Sequence, residues 1–425
     1  MPEASQTRTG PSAVVVGAGI IGLTSALYLA QAGYRVVVVE RESSACAVTS
    51  QANAGQLLYD RIGAMASPGF LRSTARNLFK RDHGVQVSGL LHPKRWPWAG
   101  AFVRQCTNTA WQRNTQELLE IARRSRDAMA RVTSMYSLDF DWRKPGKLVL
   151  YSTAAGLACA RKTAEFQRQF GGKHLILNAA ECIEREPALK GARRDFVGGM
   201  YLPDAEVGDC SKFGTALADI LIKRLGVQII YGVDVTELVR DANTVRALQT
   251  SQGLIKGDIF VLATGGATEH LQRARFSCKK QITGIKGVTL TFPCAQNAPD
   301  LSITDTAGKF VVLRLGNRVR VAGYAMFSDD QTARPQLVRQ LTDKARALMP
   351  GAAIFDRAPD VWVGFRPTTP DDLPMIGRMG PDNMYVNAGH GSLGWTLALG
   401  SAEILLNTIQ SAPEHGRNVA LKADI

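Results

Sequence analysis

The stretch from Ala13 to Glu40 restricts the fold of this chain more than any other. Ala13-Val14-Val15-Val16 is a short β-branched run that stops at Gly17, as strands buried on both faces do. Ile20 to Gln31 follows with good helix formers, and Gly33 can end that helix. Arg35 to Glu40 (RVVVVE) then reads as a second buried strand. Together these pieces predict one complete βαβ unit at the start of the sequence.

Within that unit Gly17, Gly19 and Gly22 have the GxGxxG spacing. Gly17 lets the strand turn tightly, Gly19 lets a pyrophosphate approach the backbone, and Gly22 lets the helix pack closely on the strand. Ile20 and Ile21 open the helix, whose N–H groups and positive dipole end suit phosphates. Glu40 ends the second strand roughly 20 residues on, where a carboxylate accepts ribose hydroxyls and repels a 2′-phosphate; Arg41 follows it. The loop alone leaves FAD and NAD both open. Its place near the start of a long interleaved chain, the presence of one such fingerprint only, and a later strand ending Ala263-Thr264-Gly265-Gly266 favour FAD.

Composition excludes several other classes. The chain has 425 residues, 21% charged and 45% hydrophobic, which suits two to three folded units of a soluble globular protein. Its formal charge of +14 is dispersed, with no basic run interleaved with aromatics, so nucleic acid is not an expected partner. Attraction to an anionic membrane face remains open. Seven cysteines, an odd number without CxxC spacing, argue against a disulfide framework or a metal site and fit a reducing compartment. Residues 1–12 lack the apolar core of a signal peptide and read as a flexible tail, as do residues 413–425. Ser401, Glu403 and Asn407 interrupt the apolar stretch from Leu393 to Ile409, so it reads as a buried helix rather than a membrane span. The expected location is cytoplasmic, peripheral on the inner membrane at most.

Further along, nucleotide-type pieces alternate with stretches of different texture. The expected division is a nucleotide-binding unit from 13–60, 195–280 and 375–412, interleaved with a second lobe from 61–194 and 281–374. The class is α/β with α+β.

Several motifs resemble the FAD-dependent D-amino acid dehydrogenase family, within the wider group that includes glycine and sarcosine oxidase. They are Thr49-Ser50-Gln51-Ala52-Asn53-Ala54-Gly55-Gln56, Leu202 to Asp209 (LPDAEVGD), Ile285 to Thr291 (IKGVTLT), Gly364 to Asp371 (GFRPTTPD) and Gly389 to Thr396 (GHGSLGWT). The resemblance implies that these two units are a Rossmann-like FAD-binding domain and an interleaved sheet-based substrate domain, and it implies non-covalent FAD, with Thr49, Ser50, Asn53, Ala54, Gly55 and Gln56 running past the flavin. It implies that Val235 holds the adenine through its backbone, that Thr264 and Gly265 border the cofactor, and that Gly391, Ser392, Leu393 and Gly394 face the isoalloxazine ring. Arg366 matches the residue that clamps a substrate carboxylate, for which a planar guanidinium with paired N–H groups is suited. Tyr324 is expected to line the pocket and His390 to lie beside the flavin, completing the catalytic set. Two places depart from the family's wording: Asp372 stands where Gly is common, and Leu57-Leu58-Tyr59-Asp60 replaces the usual run after Gln56.

The implied reaction is oxidative deamination of a D-amino acid, D-proline types included, by hydride transfer from Cα to flavin N5. Electrons would pass to a quinone or respiratory acceptor. An oxygen-using oxidase, a protein that merely holds FAD and an NAD-dependent dehydrogenase are the alternatives.

Overall fold

A computed structural model describes residues 10–77, 85–86, 89, 92–169, 171–241, 243–267 and 281–412. Residues 1–9 of the expected tail at 1–12, and the expected tail at 413–425, lie outside the described residues. Ser12 does not belong to a tail: it begins the first strand, and Asp258 accepts both its N–H and its hydroxyl at 2.7 Å.

The first sheet has the order Met375–Arg378, Met384–Ala388, Ile259–Leu262, Ser12–Val16, Arg35–Val39, Gln228–Ile230. All neighbours are parallel except the first pair. Ala13 to Val16 occupy the centre and are buried on both faces, which is why that run is continuously apolar. From Ser12–Val16 the chain moves outward to Arg35–Val39 on one side, and Ile259–Leu262 lies on the other. Ligands bind at the carboxyl ends of strands where the order reverses in this way. Gly17, Glu40 and Ala263 all stand at those ends.

Helices Ile20–Gln31, Cys210–Leu225, Gly394–Ser411 and Asn108–Met135 share one core on this sheet, through Leu23, Leu217, Leu397 and Leu118 among others. The last of these corrects the expected division. Asn108–Met135 falls inside 61–194, yet a Cβ on Gly400 would lie 2.3 Å from the carbonyl oxygen of Ile121, so it touches Gly394–Ser411 at backbone distance. Conversely, Gly198–Leu202 falls inside 195–280 but pairs with Lys147–Tyr151 and Leu175–Asn178 in the second sheet. The physical reason is the same in both cases. Periodicity reveals that an element has an apolar face, not which sheet that face meets.

The second sheet runs Asp360–Thr368, Thr283–Pro293, Arg318–Met326, Phe310–Leu315, Ser302–Asp305, Lys147–Tyr151, Gly198–Leu202, Leu175–Asn178, with Val85–Gln86 beside Arg318–Met326. Helix Pro335–Leu348 packs Leu341, Ala345 and Leu348 into its core. An antiparallel meander, Val235–Asp241, Thr244–Thr250 and Gly253–Lys256, and the short pair Gln56–Leu57 with Glu206–Val207 complete the strands.

Asp209 joins the two sheets. It caps helix Cys210–Leu225 by accepting the N–H groups of Ser211 and Lys212 at 3.0 and 3.3 Å. Its other oxygen accepts Arg318 and Arg320, from a central strand of the second sheet, at 3.0 and 3.1 Å. Arg320 also donates to the carbonyl of Asn53 at 3.1 Å. The side chains of Asp209 and Arg320 are only 2% and 4% exposed. Asp209→Ala leaves the Arg320 charge buried and unpaired, so urea unfolding should show a loss of about 3–5 kcal/mol. A loss of about 1 kcal/mol or less, as for an exposed pair, contradicts this role.

Candidate functional site

The three fingerprint glycines sit in different surroundings. Gly17 has φ +106°, and a Cβ there would lie 2.7 Å from the carbonyl oxygen of Ala263. A Cβ on Gly22 would lie 1.8 Å from the carbonyl oxygen of Gly17. Gly19 is different: its added Cβ would meet only the Ser50 hydroxyl, at 3.5 Å. The space beside Gly19 is therefore open to a ligand. Gly19 also caps helix Ile20–Gln31 without a side-chain bond, leaving N–H groups directed at that space. The Ser50 hydroxyl accepts the N–H of Ile20 at 3.1 Å and ties the Thr49-to-Gln56 stretch to the cradle.

Glu40 is held in place by two backbone N–H groups. Its two carboxylate oxygens accept the N–H groups of Ala18 (2.6 Å) and Glu42 (3.0 Å). Each oxygen keeps a lone pair for a hydroxyl. Arg41 lies outside, exposed and paired with Glu42. Val235 is buried at the start of the meander, next to Val233, whose N–H donates to the Glu40 carbonyl at 2.9 Å. Ala263 donates to the carbonyl of Val16 at 2.9 Å, which sets Thr264 and Gly265 against Gly17; Gly265 has φ +55°.

A second group of expected residues converges on the strand Asp360–Thr368. The Thr49 hydroxyl donates to the Phe365 carbonyl at 3.1 Å. Thr368 forms a bridge with His390. Arg366 thus lies between a contact to the Thr49 stretch and a contact to the Gly389-to-Gly394 turn. Its segment, although Pro-rich, is a regular strand paired with Thr283–Thr291. The Arg366 guanidinium crosses Gly287, where a Cβ would lie 2.6 Å from Nη2. Nη1 donates to the carbonyl of Tyr324 at 2.9 Å. Among the described residues it has no carboxylate partner. Burial lowers its pKa from the ordinary value, yet a guanidinium remains a cation.

Tyr324 corrects an expectation. Its ring packs in the core of the second sheet, and its hydroxyl donates to the carbonyl of Leu337 at 3.1 Å. It holds a left-handed φ of +65°, which turns its carbonyl to Arg366. Its contribution is a backbone acceptor rather than a pocket wall.

His390 is 3% exposed, and its Nε2 lacks a hydrogen-bond partner among the described residues. Burial lowers its pKa from 6.5 to about 3, so the imidazole is neutral. Gly391, Ser392 and Leu393 form a short 3-10 turn, and Leu393 caps helix Gly394–Ser411 without a side-chain bond. The Gly391 φ of +54° and the small Gly394 keep this N-terminus accessible. Gly55 has φ +67° and receives the Asn53 side chain on its N–H at 2.9 Å, so Asn53, Ala54 and Gly55 form a tight turn.

One neighbour of this site escaped the sequence reading. Lys147 donates to the Gln56 side-chain oxygen at 3.0 Å, while the Gln56 amide donates to Ser302 at 2.6 Å. Burial, with Arg61 nearby, lowers the Lys147 ammonium to about 7. Its only sequence signal is a lysine opening an otherwise apolar strand.

The open space at Gly19, the pre-set Glu40, two helix N-termini without side-chain caps and the orphaned Nε2 of His390 all suit a dinucleotide with a ring at its far end. The sequence profile of the FAD dependent oxidoreductase family matches residues 12–408. The chain belongs to this family. FAD is the cofactor of its members, and the residues present fit that group. A D-amino acid dehydrogenase of Vibrio cholerae serotype O1 (strain M66-2) is 34% identical over 93% of this chain and 94% of its own. Among solved structures, glycine oxidase from Bacillus cereus ATCC 14579 superposes with a TM-score of 0.72 at 18% identity, covering 94% of this chain and 95% of that one. L-proline dehydrogenase from P. horikoshii gives 0.72 at 18% identity, covering 95% of both. These structural likenesses show that the fold is that of FAD-dependent oxidoreductases.

The neutral His390 has a measurable consequence. Its folded pKa lies below the unfolded 6.5, so its contribution is intact above that pH and falls as pH drops, by about 2 kcal/mol at pH 5. His390→Asn should lose correspondingly less stability than the unaltered FAD-loaded protein between pH 7.5 and 5 in chemical unfolding. Equal losses contradict a buried neutral imidazole.

Proposed function

We propose that this chain oxidises D-amino acids to 2-oxo acids and ammonia, or to a cyclic imine when the substrate is of the D-proline type. The observation that carries the reading is Arg366, a partly buried cation with one backbone acceptor and no carboxylate among the described residues. It stands between the Thr49 contact and the His390 turn. Guanidinium has five N–H donors in a rigid fork, and one is engaged by Tyr324. The others suit a carboxylate in bidentate geometry. The handedness is supported by the D-amino acid dehydrogenases, which are similar over nearly the whole chain.

When bound, FAD supplies a two-electron acceptor for the hydride that leaves the substrate Cα. The chain's own residues orient and exclude. Arg366 fixes the carboxylate, and the Gly287 strand behind it fixes Arg366. With a pKa of about 3, His390 is too weak a base to take a proton from the substrate ammonium near neutral pH. The reactive form of the substrate is the one with a neutral amine, whose nitrogen lone pair drives hydride departure. Water outside the site completes imine hydrolysis. The N-terminus at Leu393–Gly394 offers N–H groups for negative charge developing on the cofactor.

We further propose a quinone or respiratory electron acceptor, supported by relatives named dehydrogenases, and peripheral contact with an anionic membrane face. The formal charge of +14, and Trp96 and Val103 exposed one above the other on helix Trp96–Gln105, support the second. No helix among the described residues is long and apolar enough to cross a membrane. Cosedimentation with anionic but not neutral vesicles is the expected result.

Arg366→Ala should retain its flavin absorption and lose about 10²–10³-fold in kcat/KM, the loss of two charge-assisted hydrogen bonds. Arg366→Lys, which keeps the charge without the fork, should recover only part. An Ala variant that turns over D-amino acids like the unaltered enzyme overturns the reading.

A further inference from the structure

Of the two places where the sequence departs from its family's wording, one binds the segment that follows the other. Asp372 has φ +61°, a left-handed backbone that glycine adopts without strain. Its Oδ2 accepts the N–H groups of Met65 and Ala66 at 2.5 and 3.1 Å. Those residues belong to the segment that follows the altered Leu57-to-Asp60 run. Ala64 on the same segment is held by helix Asn108–Met135: its N–H donates to Thr115 at 3.2 Å, and its carbonyl accepts Trp111 at 3.1 Å. Met65 and Ala66 then pack with Phe70, Trp98 and Phe102 over Ile285. Ile285 is the register partner of Arg366, and the Trp98 indole donates to Thr368 at 2.9 Å.

From this juxtaposition we infer that Asp372 is a positioning residue: its carboxylate clamps Met65 and Ala66 and so fixes the apolar cap beside Arg366 that governs how a substrate reaches the guanidinium. The inference rests on the carboxylate-binding role of Arg366. A glycine at 372 would adopt the same φ without strain and without burying a charge. The aspartate brings both costs and, in return, satisfies two N–H groups that a glycine leaves without an acceptor.

The clamp depends on ionisation. Burial, with Asp371 adding, raises the Asp372 pKa from 3.8 to about 6, against the lowering effect of the two N–H bonds. No cation lies within ion-pair distance among the described residues. On the neighbouring elements, Cys106 is neutral, its thiol pushed up by burial to about 11. His390 is neutral, Arg366 turns to Tyr324, and Arg61 interacts with Tyr151. Above about 6 the carboxylate accepts both N–H groups fully; as pH falls through that value, protonation weakens both bonds.

The test compares Asp372→Gly, which keeps the backbone and removes the clamp, with Asp372→Asn, which keeps an acceptor and cannot ionise. In the FAD-loaded protein at neutral pH, amide exchange at Met65 and Ala66 should speed up at least about tenfold in the Gly variant and by less in the Asn variant, whose neutral oxygen accepts more weakly than a carboxylate. KM for the D-amino acid should rise about fivefold or more in the Gly variant, with a smaller change in kcat. The KM ratio of unaltered enzyme to Asn variant should rise as pH falls through 6. Unchanged exchange in the Gly variant overturns the clamp, and faster exchange with unchanged KM overturns its role at the site. An unaltered enzyme whose flavin no amino acid bleaches overturns the substrate reading and the KM part with it, while exchange still decides the clamp.

Discussion

The structure hangs on a buried carboxylate between two arginines. Asp209 belongs to the helix that follows the strand pair beside the cofactor stretch, and Arg318 and Arg320 belong to the middle of the second sheet. An ion pair this far from water adds little net stability as a pair, because desolvation offsets attraction. Its consequence is registration. Removing either partner strands a charge, so the two sheets hold one relative position. Arg320 extends that constraint to Asn53, in the tight turn of the stretch that crosses from the nucleotide cradle to the second sheet.

Given that registration, the site assembles at the seam. The first sheet contributes Gly17, Glu40 and Ala263 at its strand ends, and the second contributes Arg366 on an outer strand. Thr49 and the Thr368–His390 bridge stitch the two sides together on either side of Arg366. The burial of His390 and Lys147, with the unpartnered Nε2 of His390 among the described residues, shows how dry this seam is. In such surroundings a lone guanidinium is a strong anion site, because little water competes for its donors.

The sequence made the first sheet legible because its central strands are buried on both faces. Val14 to Val16 and Val36 to Val39 therefore carry a continuous apolar signal, and the glycines between them report backbone contacts that allow no side chain. Arg366 and the Gly389-to-Gly394 turn were visible only through resemblance, since nothing in the spacing of GFRPT singles out its arginine. The membership of helix Asn108–Met135 and strand Gly198–Leu202 was not legible, because pattern reports that a face is buried and not against what. Tyr324 misled for a related reason. Its strand position was right, but alternation along a strand does not say which face meets the cofactor. Asp209, Lys147 and Asp372 act through partners 91 to 307 positions away in sequence, and no local pattern encodes those meetings.

In the proposed function a flavin acts on a substrate that Arg366 holds by its carboxylate. Anaerobic bleaching of the bound flavin tests it most directly, with a panel of D-amino acids, their L enantiomers and the matching amines that lack a carboxylate. The expected result is bleaching by D-amino acids, little by the L forms and none by the amines. Amines that bleach as fast as their parent amino acids, or a flavin that no member of the panel reduces, contradict it.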